Sequence, residues 1–145
     1  MDTTEGFNHG APIQIRFNDI DMMGHVNNSI QQSYYDFGRM KYLKDVLHED
    51  INQSAESLII AHISMDFMEP VFMGEDISIY SRITKIGNKS CHMEQIIINA
   101  NTKNPKSKCF SVLVGFDYVA HQSILLPERW KEKVAAFEKI TREHN

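Results

Sequence analysis

Six apolar residues, Ile30, Tyr34, Phe37, Met40, Leu43 and Leu47, recur at spacings of three and four between Ser29 and Leu47. That is the period of one face of an α-helix, and it predicts a single long helix before the C-terminus. Asn27, Asn28 or Ser29 supplies its N-cap, since a short polar side chain accepts from the first unpaired amides. Gly38 sits mid-helix, where a missing side chain costs helix stability but lets another backbone come close. Around this helix the period is two. Ile13, Ile15 and Phe17 alternate before it. After it, Ile59, Ala61, Ile63, Met65 and Phe67 point one way and Ile60, His62, Ser64 and Asp66 the other. Glu69 to Asp76 breaks the ladder at Pro70 and Gly74, and a strand follows from Ile77 to Ile83. Gly87-Asn88 predicts a tight hairpin built on positive φ. A return strand runs from about Ser90 to Ala100, a turn holds Asn104-Pro105, and a last strand takes Phe110, Val112, Val114, Phe116 and Tyr118. Pro127 opens a closing helix over 127–142 with Trp130, Val134 and Phe137 on its apolar edge. One helix against five antiparallel strands is an α+β arrangement in a single domain spanning 1–145, with residues 1–10 flexible. One helix cannot cover so wide a sheet, so the exposed part predicts pairing with a second copy.

Composition narrows the function without naming it. The chain has 145 residues, 42% apolar and 23% charged, with a net charge of −4. An acidic balance argues against a reader of nucleic acid, which carries a basic excess. No apolar run reaches the roughly 18 residues of a membrane span, and Met1-Asp2-Thr3-Thr4-Glu5 is no signal peptide. Cys91 and Cys109 form no CxxC or zinc spacing and read as reduced thiols of a cytoplasmic protein. No metal or cofactor is expected.

The densest polar cluster lies between the first strand and the helix: Asp19-Ile20-Asp21-Met22-Met23-Gly24-His25-Val26-Asn27-Asn28. A helix start offers free amides and the positive end of a dipole, which suits a developing oxyanion. A carboxylate just ahead of it can act as general base or nucleophile. Read structurally instead, the same residues are a cap, two turn carboxylates and a loop histidine. A calcium loop opens with D-x-D-x-x-G, but Met23 and Ile30 occupy ligand positions and no helix precedes it. A transition-metal site from Asp19, Asp21 and His25 lacks a second histidine. There is no G-x-S-x-G, and neither cysteine stands in a nucleophile motif.

The run R-F-N-D-I-D-M-M-G-H-V-N-N-S-I-x-x-x-Y, Arg16 to Tyr34, resembles the opening of hot-dog-fold thioesterases, in the 4-hydroxybenzoyl-CoA and acyl-ACP thioesterase branch. The likeness continues through Ile63–Val71 with Gly74-Glu75-Asp76, Ile86–Ser90 and Leu126–Trp130, in order along nearly the whole chain. It implies an antiparallel sheet wrapped around one central helix, acting as a homodimer or dimer of dimers. The implied reaction is hydrolysis of an acyl-CoA thioester, with acyl-ACP as the second substrate. Asp21 takes the place of the carboxylate that attacks the thioester carbonyl or activates water, and His25 that of a catalytic polar group. Gly24, Val26, Asn27 and Asn28 bind substrate through the helix start. Met23 departs from the D-x-N-x-H run of the acyl-ACP branch, which keeps a non-catalytic acyl-binding protein in view. Hot-dog hydratases resemble D-x-N-P-x-H, whereas here His25 follows Asp21 by four without proline.

Several other residues carry a functional reading beside a plainer one. Asp36 lies within the helix, where other hot-dog thioesterases place their carboxylate, but reads equally as a solvated helix acid. His62 and Ser64 share a strand face and line the partner's pocket, or are merely exposed. Tyr34, Tyr35, Met65, Phe67 and Met68 shape an acyl pocket or pack the core. Arg82, Lys85 and Lys89 meet coenzyme A phosphates or face solvent.

Overall fold

A computed structural model describes residues 3–51 and 55–143; positions 1–2 of the expected flexible start lie outside them. The elements run β1 (His9–Ile13), α1 (Asn28–Leu47), β2 (Glu56–Phe67), β3 (Ile77–Ile86), β4 (Ser90–Asn99), β5 (Pro105–Asp117), β6 (Gln122–Ser123) and α2 (Glu128–Glu138). The strands form one antiparallel sheet in the order β1-β3-β4-β5-β2, with short β6 paired to β5. Helix α1 lies across it, as read from the sequence.

The buried face of α1 is rotated from the apolar stripe. It consists of Gln31, Tyr34, Tyr35, Gly38, Arg39, Tyr42, Leu43, Val46 and Leu47, while Phe37 and Met40 are exposed. Two polar residues turn inward because the sheet offers each of them a hydrogen-bond partner. Ser107 Oγ donates to Gln31 Oε1 at 2.7 Å, and Arg39 Nη2 donates to Gln95 Oε1 at 3.3 Å. Gly38 does sit at a close approach, but to side chains and not to the backbone expected: a Cβ there would fall 2.6 Å from Ile79 Cδ1 and 3.1 Å from Gln95 Nε2. On one side of this crossing Tyr34 and Tyr35 pack with Val26, Val71, Ile79 and Cys109. On the other, Tyr42, Val46 and Leu47 pack with Ile83, Met93, Leu113 and the α2 residues Trp130 and Val134.

Other expectations need correction. The first strand is His9–Ile13, not Ile13–Phe17, and its first residues pair with Ser81 and Tyr80 instead of fraying. Phe17 opens a 3-10 turn over Phe17–Asp19 and is exposed. In β2 a register shift between Ile60 and His62 breaks the alternation. Ile60, opposite Leu113, therefore shares a face with Ile63 and Met65, and Ile59 does not. Neither Gly87 nor Asn88 adopts positive φ; the three-residue turn closes through Gly87 N–H to Ser90 O at 2.9 Å. The closing helix is shorter than expected at both ends, Glu128–Glu138. Both cysteines are free and buried.

Candidate active site

Chain geometry between the 3-10 turn and α1 is fixed almost entirely by local hydrogen bonds. Ile20 and Val26 form an antiparallel bridge around a tight loop, with Asp21 N–H to His25 O at 2.8 Å and Gly24 N–H to Asp21 O at 3.1 Å. Gly24 has φ +82°, a conformation that favours glycine and lets the loop close. Asp21 Oδ1 accepts from the Met23 amide at 2.9 Å and the His25 amide at 3.2 Å. Its Oδ2 makes no hydrogen bond to any described residue. One oxygen thus pins the carboxylate while the other stays available.

Neighbouring segments hold this loop from outside. Val26 N–H bonds Val71 O at 2.8 Å, and His25 bridges Phe72, whose ring meets the imidazole edge-on at 4.9 Å. Buried Lys106 ties the 69–75 segment down through Pro70 O at 3.2 Å and Glu75 Oε1 at 3.1 Å. Asp19 has a structural part: its Oδ2 accepts from the Arg16 amide at 2.9 Å and from the Tyr34 hydroxyl at 2.5 Å. Burial, reinforced by that carboxylate, raises the Tyr34 pKa well above the ordinary phenol range. Tyr34 is a protonated donor at any working pH.

Asn27 caps α1, its Oδ1 accepting from the Ser29 amide at 2.9 Å. Of the five amides from Gly24 to Asn28, four already have acceptors: Asp21 O, Asp21 Oδ1, Val71 O and Asp19 O. The Asn28 amide has none among the described residues. The expected set of substrate-facing amides therefore narrows to this one, at the positive end of a 20-residue helix.

A cleft of about 440 Å³ opens here, lined by Asp21, His25, Val26, Asn27, Asn28, Gln31, Phe67, Met68, Glu69 and Pro70. The fold so brings the Asp21–Asn28 run against the end of β2. Gly24 shapes the loop without lining the cleft. Tyr34 faces a neighbouring hollow with Arg16, Asp19 and Phe37. His62 and Ser64 lie on the other face of β2 from Met65 and Phe67; Ser64 lines a separate cavity of about 590 Å³ with Asp66, Arg82 and Lys108. Within one chain neither reaches the Asp21 cleft. Asp36 is also absent from it, its Oδ1 held by Arg39 Nη1 at 2.8 Å. Arg82 pairs with Glu94 at 3.2 Å and Lys85 with Glu143 at 3.3 Å. Gln31, Glu69 and Pro70 are lining residues that sequence reasoning did not select as site residues. For Gln31 a signal existed, since it stands one helical turn after Asn28.

A family model described as the thioesterase-like superfamily matches residues 15–135, most of the chain and all of this site. The chain belongs to the thioesterase-like superfamily. Its fold is the hot-dog arrangement, and its reaction class is acyl thioester hydrolysis. This superfamily member is 21% identical over 131 residues to the chloroplastic acyl-acyl carrier protein thioesterase ATL3 of Arabidopsis thaliana, covering 89% of this chain and 68% of that one. A Thermus thermophilus thioesterase complexed with coenzyme A and Zn superposes with a TM-score of 0.83 at 26% identity, covering 94% of this chain and 98% of the other. The 1,4-dihydroxy-2-naphthoyl-CoA thioesterase of Synechocystis superposes at 0.78 with 17% identity, over 87% and 94% of the two chains. Among the described residues no group of three His, Cys, Asp or Glu side chains converges to hold a metal ion. No helix among them is long and apolar enough to cross a membrane.

Proposed function

We propose that this chain hydrolyses acyl-CoA thioesters in the Asp21 cleft, with Asp21 as the reacting carboxylate and the Asn28 amide as a donor to the carbonyl oxygen. The observation that carries this is the pairing of an open Asp21 Oδ2 with an unpartnered helix-start amide along one cleft. A thioester carbonyl lacks much of an ester's resonance stabilisation, so a carboxylate and oriented donors suffice without a Ser-His-Asp triad. Asp21 Oδ2 attacks the thioester carbon directly or takes a proton from a water that does. Negative charge then gathers on the carbonyl oxygen, where the Asn28 amide and the helix dipole stabilise it. In the direct route the C–S bond breaks to leave an acyl anhydride on Asp21, the thiolate takes a proton from solvent, and water then cleaves the anhydride to free acid and Asp21. In the water route the acid forms at once and Asp21 returns the proton it took to the departing thiolate. His25, packed edge-on against Phe72, orients the carbonyl or the water. Val26, Asn27 and Asn28 contact the substrate beside the thioester.

Exposed Met22, Met23, Phe67, Met68, Phe72 and Met73 give the cleft an apolar surround suited to an acyl group. The outer edge of β2 pairs with no described strand and carries exposed Ile60, Phe67 and Met68. It is the seam along which a second copy of this single domain joins, as a homodimer or dimer of dimers. His62 and Ser64, on the opposite face of β2 from Phe67, are assigned to the substrate tail only across that seam, from the partner copy. The free, buried thiols of Cys91 and Cys109 support a reducing, cytoplasmic setting. Acyl-carrier-protein thioesters are the second substrate class, favoured by the likeness to the Arabidopsis enzyme.

Thiol release from short, medium, long and aromatic acyl-CoAs, run beside matching acyl-ACPs, tests the reading. Faster turnover of the CoA esters is expected. Preference for acyl-ACP moves the chain to the second class, and silence with both leaves a ligand-binding member without turnover.

A further inference from the structure

Helix α1 brings a second donor to the cleft beside the Asn28 amide. Gln31 is one turn further along the helix, lines the same cleft, and is only 1% exposed. A buried side-chain amide needs partners for both its ends, because an unmet polar group away from water is costly. One end is met. Tyr35 Oη and Ser107 Oγ lie 2.6 Å apart, and Ser107 Oγ donates to Gln31 Oε1 at 2.7 Å. With Ser107 donating to Gln31, the Tyr35 hydroxyl supplies the proton to Ser107. Burial holds that phenol protonated, pushing its pKa above the ordinary range. The relay runs from hydroxyl to hydroxyl to carbonyl, with the Oε1 end of the Gln31 amide facing the sheet. The Nε2 end has no acceptor among the described residues.

We infer that Gln31 Nε2 donates to the thioester carbonyl oxygen, forming with the Asn28 amide a two-donor oxyanion hole that Ser107 and Tyr35 hold in orientation. This rests on the Asp21 cleft being the hydrolytic site. Gln31 is then a catalytic residue in the strict sense, touching the reacting oxygen, while Ser107 and Tyr35 are positioning residues acting through it. The arrangement costs no reorganisation when charge develops, since the amide is locked before substrate enters.

The decisive variant is Gln31→Glu. It keeps the shape and the acceptor that Ser107 needs, and replaces the donor end by an oxygen that carries negative charge when ionised, so the neutral Gln31→Met is run beside it. Gln31→Met removes both ends at similar volume. For a donor role, kcat falls about 100- to 1,000-fold in both variants, the usual scale for losing one oxyanion donor. KM stays within a few-fold and the unfolding midpoint of Gln31→Glu stays near wild type. A purely structural Gln31 would be rescued by Glu, and kcat within threefold of wild type in that variant overturns the inference. A second readout does not need turnover: the carbonyl stretch of a bound acyl-CoA ketone analogue, with methylene in place of sulfur. Wild type is expected to lower that frequency relative to the free ligand, and Gln31→Glu to reverse most of the drop. Equal bands in the two proteins overturn the donor role. A silent wild type toward every thioester would sink the hydrolytic reading instead, while the band still decides whether Gln31 meets a carbonyl.

Discussion

Asp21, to which we assign the chemistry, is held by its own loop. Oδ1 takes two amides from Met23 and His25, so the carboxylate cannot rotate away, and Oδ2 is left to react. Asp21→Asn keeps the Oδ1 acceptor and the loop but loses the basic, nucleophilic oxygen. It is expected to reduce kcat by about 100-fold or more with an unchanged circular dichroism spectrum, the scale for removing a catalytic base. Asn27→Ala removes the cap that receives the Ser29 amide and is expected to cost about 1 kcal/mol in denaturant unfolding. Because Asn27 sits directly ahead of the Asn28 amide, the same variant should lower kcat more than it raises KM. This cluster was legible in the sequence because its bonds span few residues: a carboxylate, a glycine and a capping asparagine specify their own loop. Gln31 was legible only in its spacing, one turn after Asn28, and not in its orientation. Its orientation depends on Ser107, which lies 76 positions away and meets it only after β5 has docked under α1.

At the scale of elements, α1 was legible in extent but not in orientation. Counting apolar residues selects Phe37 and Met40, yet the sheet offers hydroxyl and amide partners that draw Gln31 and Arg39 inward instead. Burial of polar residues is readable only when their partners are known. The shift in β2 at Ile60–His62 was hidden for a similar reason, since a bulge is set by pairing with β5 and leaves no mark in the alternation. Gly38 marks a close approach in the sequence, but the group that fills the space is the Ile79 side chain and not a neighbouring backbone. Gly38→Ala places a methyl 2.6 Å from Ile79 Cδ1, and urea unfolding should show a loss of about 1–3 kcal/mol from overpacking. The closing helix is tied on by Arg129, which donates to both Glu49 oxygens at 2.7 and 2.9 Å and to Glu56 at 2.9 Å. Hydrogen bonding from Arg129 lowers the Glu49 pKa from 4.5 to about 2. A carboxylate depressed in the folded state stabilises it above pH 4.5, and that contribution is lost as pH falls toward 2. Wild type should therefore lose more stability than Glu49→Gln across that interval in pH-dependent thermal melts.

For the whole molecule, α1 with α2 at one end covers one face of a wide sheet, and the outer edge of β2 pairs with no described strand. Open edges with apolar side chains recruit another strand. Sedimentation equilibrium is expected to give at least twice the 16.8 kDa chain mass, and a monomer at micromolar concentration would contradict the β2 seam. A second copy is expected from the ratio of one helix to five strands, and the strand order supplies β2 as the edge we propose for it. The fold, the edge and the helix start converge on a single claim, that a carboxylate beside a helix N-terminus cleaves a thioester. Single-turnover hydrolysis of a saturating acyl-CoA by wild type and Asp21→Asn tests that claim most directly. Release of acid and thiol in equal amounts by wild type, with the variant slowed about 100-fold or more, is the expected result. Equal rates in the two proteins would contradict it and move the reaction away from Asp21.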